Sequence, residues 1–221
     1  MIHLAPSILS ADFLQLGKQI DQVKKGGADY LHFDVMDGVF VPSISFGMPV
    51  LENVKKSTDL FLDVHLMITE PEKYVEKFAE LGADMVTVHL ETLKDPDAIL
   101  ARMHNTTAKV GLAINPATPV EELLPYLHKI DMAVIMTVQP GFGGQSYLSK
   151  CTEKIEKVAA HAKTHKLDEL LIEVDGGVKL DNVETPLKAG ANVIVAGSAI
   201  FLGDAKANTK AFVKELQTFE K

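Results

Sequence analysis

Cysteine occurs once in this sequence, at Cys151, so no disulfide can close within the chain and a reducing compartment is expected. Positive charge is also scarce. Lys and Arg number 22 against 30 Asp and Glu, a net charge of −8 at pH 7. A chain of that sign repels polyanions, and no Lys/Arg cluster offsets it, which argues against nucleic acid and anionic membrane as partners. An anionic small ligand must then be gripped locally. No apolar stretch reaches the ~18 residues a membrane span needs. The first 13 residues carry no basic region and no long apolar run before Asp12, so no secretory leader is expected and the cytoplasm is the simplest location. Linkers and low-complexity segments are missing too, which leaves one domain across residues 1–221, with 47% hydrophobic content for a large core.

What is present is an alternation. Short β-branched apolar runs at 4–9, 30–36, 60–67, 85–90, 109–114, 132–138, 170–174 and 193–196 predict strands. Between them, stretches at 12–25, 48–56, 71–81, 96–103, 120–128, 149–165, 181–189 and 204–219 have helical period. Thr69-Glu70-Pro71, Asp95-Pro96 and Thr118-Pro119 read as helix starts, with a capping residue ahead of proline. Gly-Ala-Asp or Gly-Ala-Asn at 27–29, 82–84 and 190–192 reads as one helix-to-strand turn used three times. Near-continuous apolar strands imply a parallel sheet covered on both faces. Eight strand–helix units in a chain of this length favour an α/β fold of the closed (β/α)8, or TIM, barrel type, whose functional residues gather at the C-terminal ends of the strands.

The ionisable residues fall where that rule puts them. Period two places His32, Asp34 and Met36 on one face of the second strand, and Asp63, His65 and Met67 on one face of the third. The seventh strand ends in Glu173-Val174-Asp175. Charges inside apolar strands are costly unless they are paired or bind a metal. His32, Asp34, His65 and Asp175 would make a mixed nitrogen–oxygen set suited to Zn(II), or to Fe(II), Mn(II) or Co(II), rather than to Ca(II) or Mg(II). The alternative is that each is a hydrogen-bonded polar group of a barrel interior. His89 and Glu91 read as a buried pair or as supports behind such a centre, and Asp63 as structural. Met36, Met67 and Met136, taken by periodicity alone, are core filler.

Glycine marks a second feature. Gln139-Pro140-Gly141-Phe142-Gly143-Gly144-Gln145 follows the sixth strand, Gly176-Gly177 the seventh, and Gly197-Ser198 the eighth. Three neighbouring turns of this kind let backbone N–H groups face an anion, and barrels of this fold often hold phosphate at the last loops. Tight turns without a ligand are the plainer reading.

Together these stretches, with Ser7-Ile8-Leu9-Ser10-Ala11-Asp12-Phe13 and Asn115-Pro116-Ala117-Thr118-Pro119, resemble the ribulose-phosphate 3-epimerase family in register from about Leu4 to Phe201. The resemblance implies a barrel of the ribulose-phosphate-binding type that interconverts D-ribulose 5-phosphate and D-xylulose 5-phosphate in the pentose phosphate pathway. It implies that His32, Asp34, His65 and Asp175 are metal ligands, and that Asp34 and Asp175 move the C3 proton through an enediolate. Ser7, His65 and Asp175 would touch the sugar. Gly141, Phe142, Gly143, Gly144, Gly176, Gly177, Gly197 and Ser198 would hold the phosphate, and Met36, Met67 and Met136 would form an apolar cover. A homo-oligomer and a lid over 142–147 are implied as well. The sequence departs from the family at Ser43, where Asn is usual, and at Tyr147, where Phe is common. D-allulose-6-phosphate 3-epimerases share these motifs. A non-catalytic phosphosugar-binding barrel, or a carbon–carbon lyase or decarboxylase of related fold, are the other readings; the latter often carry a site lysine, and none is evident on the strand ends.

Overall fold

A computed structural model describes residues 1–220. Eight parallel strands form one sheet in the order β1-β8-β7-β6-β5-β4-β3-β2. They are β1 His3–Pro6, β2 Tyr30–Met36, β3 Phe61–Met67, β4 Met85–His89, β5 Lys109–Ile114, β6 Met132–Met136, β7 Leu171–Asp175 and β8 Val193–Ala196. A parallel bridge between Ser7 and His32 joins the two ends of that order, so the sheet closes into the expected barrel. Helices α1 Leu16–Gly26, α2 Met48–Ser57, α3 Val75–Glu80, α4 Pro96–Met103, α5 Thr152–His165, α6 Glu184–Ala189, α7 Ser198–Phe201 and α8 Ala205–Gln217 surround it. Among the described residues, no helix is long and apolar enough to cross a membrane.

Strand alternation divides the apolar residues between two cores. Outward-facing Leu31, Phe33, Leu62, Val64, Val88, Leu112, Ile135 and Val174 pack with helix residues such as Ile20, Val23, Leu51, Phe78, Leu100, Val158 and Phe212. Each such burial stabilises by about 1.5–3 kcal/mol. Inward-facing Tyr30, Met85, Met132 and Val193, with Phe61 and Leu171, belong to a separate cluster inside the barrel. That apolar plug leaves the C-terminal mouth as the open end.

The repeated turn motif has a consequence beyond stopping helices. Gly27, Gly82 and Gly190 sit at φ 102°, 101° and 111°, a region that disfavours side chains. The acidic or amide residue two positions later then accepts a backbone N–H from the preceding strand. Asp29 accepts from Leu4, Asp84 from Leu62 and Asn192 from Ile172, at 3.3, 2.8 and 2.7 Å. Asp131, outside the motif, does the same for Val110 at 2.8 Å. Each odd-numbered strand is thus clasped to the start of the next even one at the closed end.

Three local expectations are corrected. The stretch 120–128 is not an α-helix but two 3-10 segments, Val120–Glu122 and Leu124–Lys129; Pro125 lacks an N–H, and its ring would clash with the carbonyl four residues back. The stretch 71–81 breaks at Tyr74, whose φ of −129° separates a 3-10 turn from α3. Thr69 caps no helix. Its N–H and hydroxyl both donate to Asp37 after β2, at 2.8 and 2.9 Å. Asp95, by contrast, caps α4 by accepting the Ala98 N–H.

Candidate active site

Register assembles the site. On β2 and β3, His32 lies beside Asp63, Asp34 beside His65 and Met36 beside Met67; on β6 and β7, Met136 lies beside Asp175. His32, Asp34, His65 and Asp175 each bring one ligand atom within 4.8 Å of the others. His32 Nε2 stands 3.3 Å from Asp34 Oδ1 and 3.7 Å from Asp175 Oδ2. His65 Nδ1 stands 3.8 Å and 3.4 Å from the same two oxygens. Ser7, at the barrel seam, donates its hydroxyl to Asp34 Oδ2 at 2.5 Å.

Two features mark this cluster as more than a paired polar core. His32 Nε2 and His65 Nδ1 are buried and have no hydrogen-bond partner. An imidazole nitrogen left bare in a protein interior is costly, yet both point at carboxylates. Two borderline nitrogens and two carboxylates are also the donor set that zinc-type divalent ions take. The four residues therefore fit a metal ion.

The charges around them are shaped by burial and by one another. Burial disfavours cationic His32, but Asp34, Asp63 and Glu173 outweigh it and hold its pKa well above the usual histidine value. Burial likewise opposes ionised Asp34, and His32, His65 and the Ser7 hydroxyl overcome it, leaving the carboxyl below its ordinary range. Glu173 goes the other way. Burial, then the nearby Asp63, pushes its carboxyl well above the usual range.

Above the cluster lies a cavity of ≈ 60 Å³ that opens to solvent. Its lining includes Ser7, Asp34 and Asp175, all three methionines (Met36, Met67, Met136), and Gly141, Phe142, Gly143, Gly144, Gly176, Gly177, Gly197 and Ser198. The three glycine-bearing loops therefore form one wall. His32 and His65 lie beneath the wall rather than in it. Phe142 is an exposed side chain at the mouth. Gly177 cannot be replaced without movement: its φ is +72°, and a Cβ would stand 2.3 Å from the Tyr147 backbone nitrogen. Gly177→Ala is expected to cost about 1–3 kcal/mol or more, read as a lower urea midpoint at unchanged slope. The two family departures are built in: the Ser43 carbonyl accepts the Gly38 N–H at 3.0 Å, and the Tyr147 hydroxyl meets Thr152 Oγ1 at 2.9 Å.

Some residues of the site are unread or half-read in the sequence. Asp63, expected to be structural, meets His32 Nδ1 at 2.6 Å and so orients the ring. His89, buried, and Glu91, which reaches the surface, form a hydrogen-bonded chain behind His65. Ser10 and Lys179 also line the cavity. Lys179 follows Gly177 by two residues in the same loop, and that position is the available signal; it lies beyond the strand end, where a search for a site lysine confined to the strands does not reach.

A parallel eight-stranded barrel with a His/Asp centre at its C-terminal mouth, roofed by glycine-bearing loops, defines a class of barrel enzymes. Solved structures agree on the fold. A structure of KGPDC from Streptococcus mutans superposes with TM-score 0.74 at 13% identity, covering 100% of this chain and 99% of that one. At the level of sequence the match is narrower. The model of the Ribulose-phosphate 3 epimerase family matches residues 3–201, and the chain belongs to that family. The ribulose-phosphate 3-epimerase of Bacillus subtilis (strain 168) is 46% identical over 201 residues, 91% of this chain and 93% of that protein. That of Synechocystis sp. (strain ATCC 27184 / PCC 6803 / Kazusa) is 48% identical over 202 residues, 90% of this chain and 87% of that protein.

Proposed function

We propose that this chain is an isomerase that inverts C3 of a phosphorylated ketose, interconverting D-ribulose 5-phosphate and D-xylulose 5-phosphate, a step of the pentose phosphate pathway. The observation that carries the reading is the convergence of two buried, unpartnered imidazole nitrogens and two carboxylates beneath the glycine wall. In this reading His32, Asp34, His65 and Asp175 hold one divalent ion, Zn(II) in first place, with Fe(II), Mn(II) or Co(II) as alternatives. When bound, the ion supplies Lewis-acid stabilisation of the negative charge that develops on the sugar oxygens as the C3 proton leaves.

The chain's own groups do the rest. Asp34 and Asp175 stand on β2 and β7, either side of the seam strands, and work on opposite faces of C3. One accepts the proton, the other returns one, and the roles exchange with direction. Ser7 orients Asp34 and contacts the sugar with His65. Met36, Met67 and Met136 exclude water from the reacting carbon. Gly141, Phe142, Gly143, Gly144, Gly176, Gly177, Gly197 and Ser198 grip the phosphate, and 142–147 serves as a lid. The chain works as one domain across 1–221, in the cytoplasm, and associates with copies of itself; exposed Leu14, Val39 and Ile44 offer apolar surface for such contact.

Incubation with ribulose 5-phosphate in deuterated water tests the proposal. Xylulose 5-phosphate should appear with deuterium at C3, detected by NMR. Free ribulose should lose turnover as well as affinity, because binding energy from the remote phosphate is used at the reacting carbon. Comparable maximal rates on ribulose and its phosphate would remove the phosphate grip from the account. A faster reaction with allulose 6-phosphate would move the assignment to the hexulose enzyme, and absence of any exchange would leave a binding barrel.

A further inference from the structure

Behind His65 runs a hydrogen-bonded chain that the proposed reaction does not use, from buried His89 out to Glu91 at the surface. His65 Nε2 lies 2.8 Å from His89 Nε2, with the ring planes 18° apart and the centroids 4.9 Å apart, so the two rings meet edge to edge. His89 Nδ1 lies 3.1 Å from Glu91 Oε2. The other oxygen of Glu91 accepts the Asn115 N–H at 2.7 Å and the Thr118 hydroxyl. Lys154 of α5 clamps that same loop, donating to the carbonyls of Asn115 and Pro116 at 3.0 and 2.9 Å and to that of Thr118.

Hydrogen-bond bookkeeping places the protons along this chain. Glu91 receives donors on one oxygen and faces His89 Nδ1 with the other, which is the pattern of an acceptor-only carboxylate. His89 therefore carries its proton on Nδ1, and as a neutral ring presents a bare Nε2. Two facing nitrogens 2.8 Å apart need one proton between them, and it must then sit on His65 Nε2. His65 Nδ1 is left with its lone pair, directed at Asp34 and Asp175. On the neighbouring strand the pattern is reversed: Asp63 takes the Nδ1–H of His32, so Nε2 is the nitrogen that faces the centre. The two histidines thus present opposite nitrogens to one point.

We propose that Glu91, acting through His89, is a positioning residue that fixes the orientation and tautomer of His65, as Asp63 does for His32 on the opposite ring nitrogen. The inference rests on the metal centre of the proposed function. It makes the orientation of a buried ring depend on a loop beyond β5 and on a helix outside the barrel. A merely structural role for His89 would ask only that its volume be filled. A positioning role asks for an acceptor opposite His65 Nε2.

Zn(II) affinity, measured on the full chain by competition with a chromophoric chelator, separates the two. His89→Leu and Glu91→Ala should each weaken Zn(II) binding by roughly 10–100-fold. His89→Gln, whose side-chain carbonyl accepts the His65 N–H, should stay close to wild type. In the Zn(II)-loaded protein, the downfield proton resonance of His65 Nε2–H should persist in wild type and be lost in His89→Leu. Wild-type affinity in folded Glu91→Ala or His89→Leu overturns the proposal, as does a loss in His89→Gln as large as in His89→Leu. If His89→Leu does not fold, Glu91→Ala and His89→Gln decide. His32→Ala identifies which level fails: if it binds Zn(II) like wild type, the centre itself is wrong and the relay falls with it; if it loses binding while the His89 and Glu91 variants do not, only the relay is wrong.

Discussion

Asp34→Asn and Asp175→Asn should each lower turnover by roughly 10²–10⁴-fold, the usual contribution of a positioned acid or base. The exchange is nearly isosteric. In Asp34→Asn the amide carbonyl can still accept the Ser7 hydroxyl, which in the unaltered chain donates to Asp34 at 2.5 Å. Circular dichroism should therefore show the fold retained. The sharper readout is isotopic. With one carboxylate gone, the other still reaches its own face of C3, so each variant should exchange the C3 hydrogen of one epimer only with solvent deuterium. The two variants should select opposite epimers. Near-normal turnover in both would dismiss a two-carboxylate mechanism. Exchange of both epimers by a single variant would point to one base working on both faces.

Chelation should abolish activity, and Zn(II), Fe(II), Mn(II) or Co(II) should restore it. Lewis-acid stabilisation is worth several kcal/mol, which at about 1.4 kcal/mol per tenfold amounts to roughly 10³-fold or more in rate. The prediction comes from two buried nitrogens, His32 Nε2 and His65 Nδ1, that no protein group satisfies. Protons compete for the same lone pairs. Burial lowers the proton affinity of His32, but Asp34, Asp63 and Glu173 raise it further, so the metal-free ring holds a proton well above the usual histidine value. Metal binding must displace that proton, so affinity should fall as pH is lowered and the ion should be stripped more easily in acid. A metal-free preparation with full activity, confirmed by elemental analysis, would overturn the site and every role assigned around it.

Much of the site was legible because a strand has a simple period. His32, Asp34 and Met36, like Asp63, His65 and Met67, share a face by counting in twos, and the parallel barrel puts functional groups at the strand ends. The three glycine loops were visible for the same reason, since each follows a recognisable strand. The helix expected over 120–128 shows where periodicity misleads: the apolar spacing is helical, but Pro125 removes a hydrogen bond and the segment tightens into 3-10 turns. Thr69 looked like a cap and is a tie to Asp37, because a side chain bonds to whatever acceptor the fold brings near it.

By itself, then, the sequence determined the order of the strands and of the segments between them, the face on which each ionisable residue lies, and the family. These are consequences of short-range chemistry: burial of apolar faces, glycine at positive φ, proline at helix starts. Only the tertiary structure decided which of those groups touch. Counting along one strand says nothing of the distance to another, and the 4.8 Å that gathers His32, Asp34, His65 and Asp175 is set by register and barrel closure. The same holds for the partners behind them. Asp63 reaches His32 because they are neighbours in register, and His89 reaches His65 because two adjacent strands point their rings into one interior.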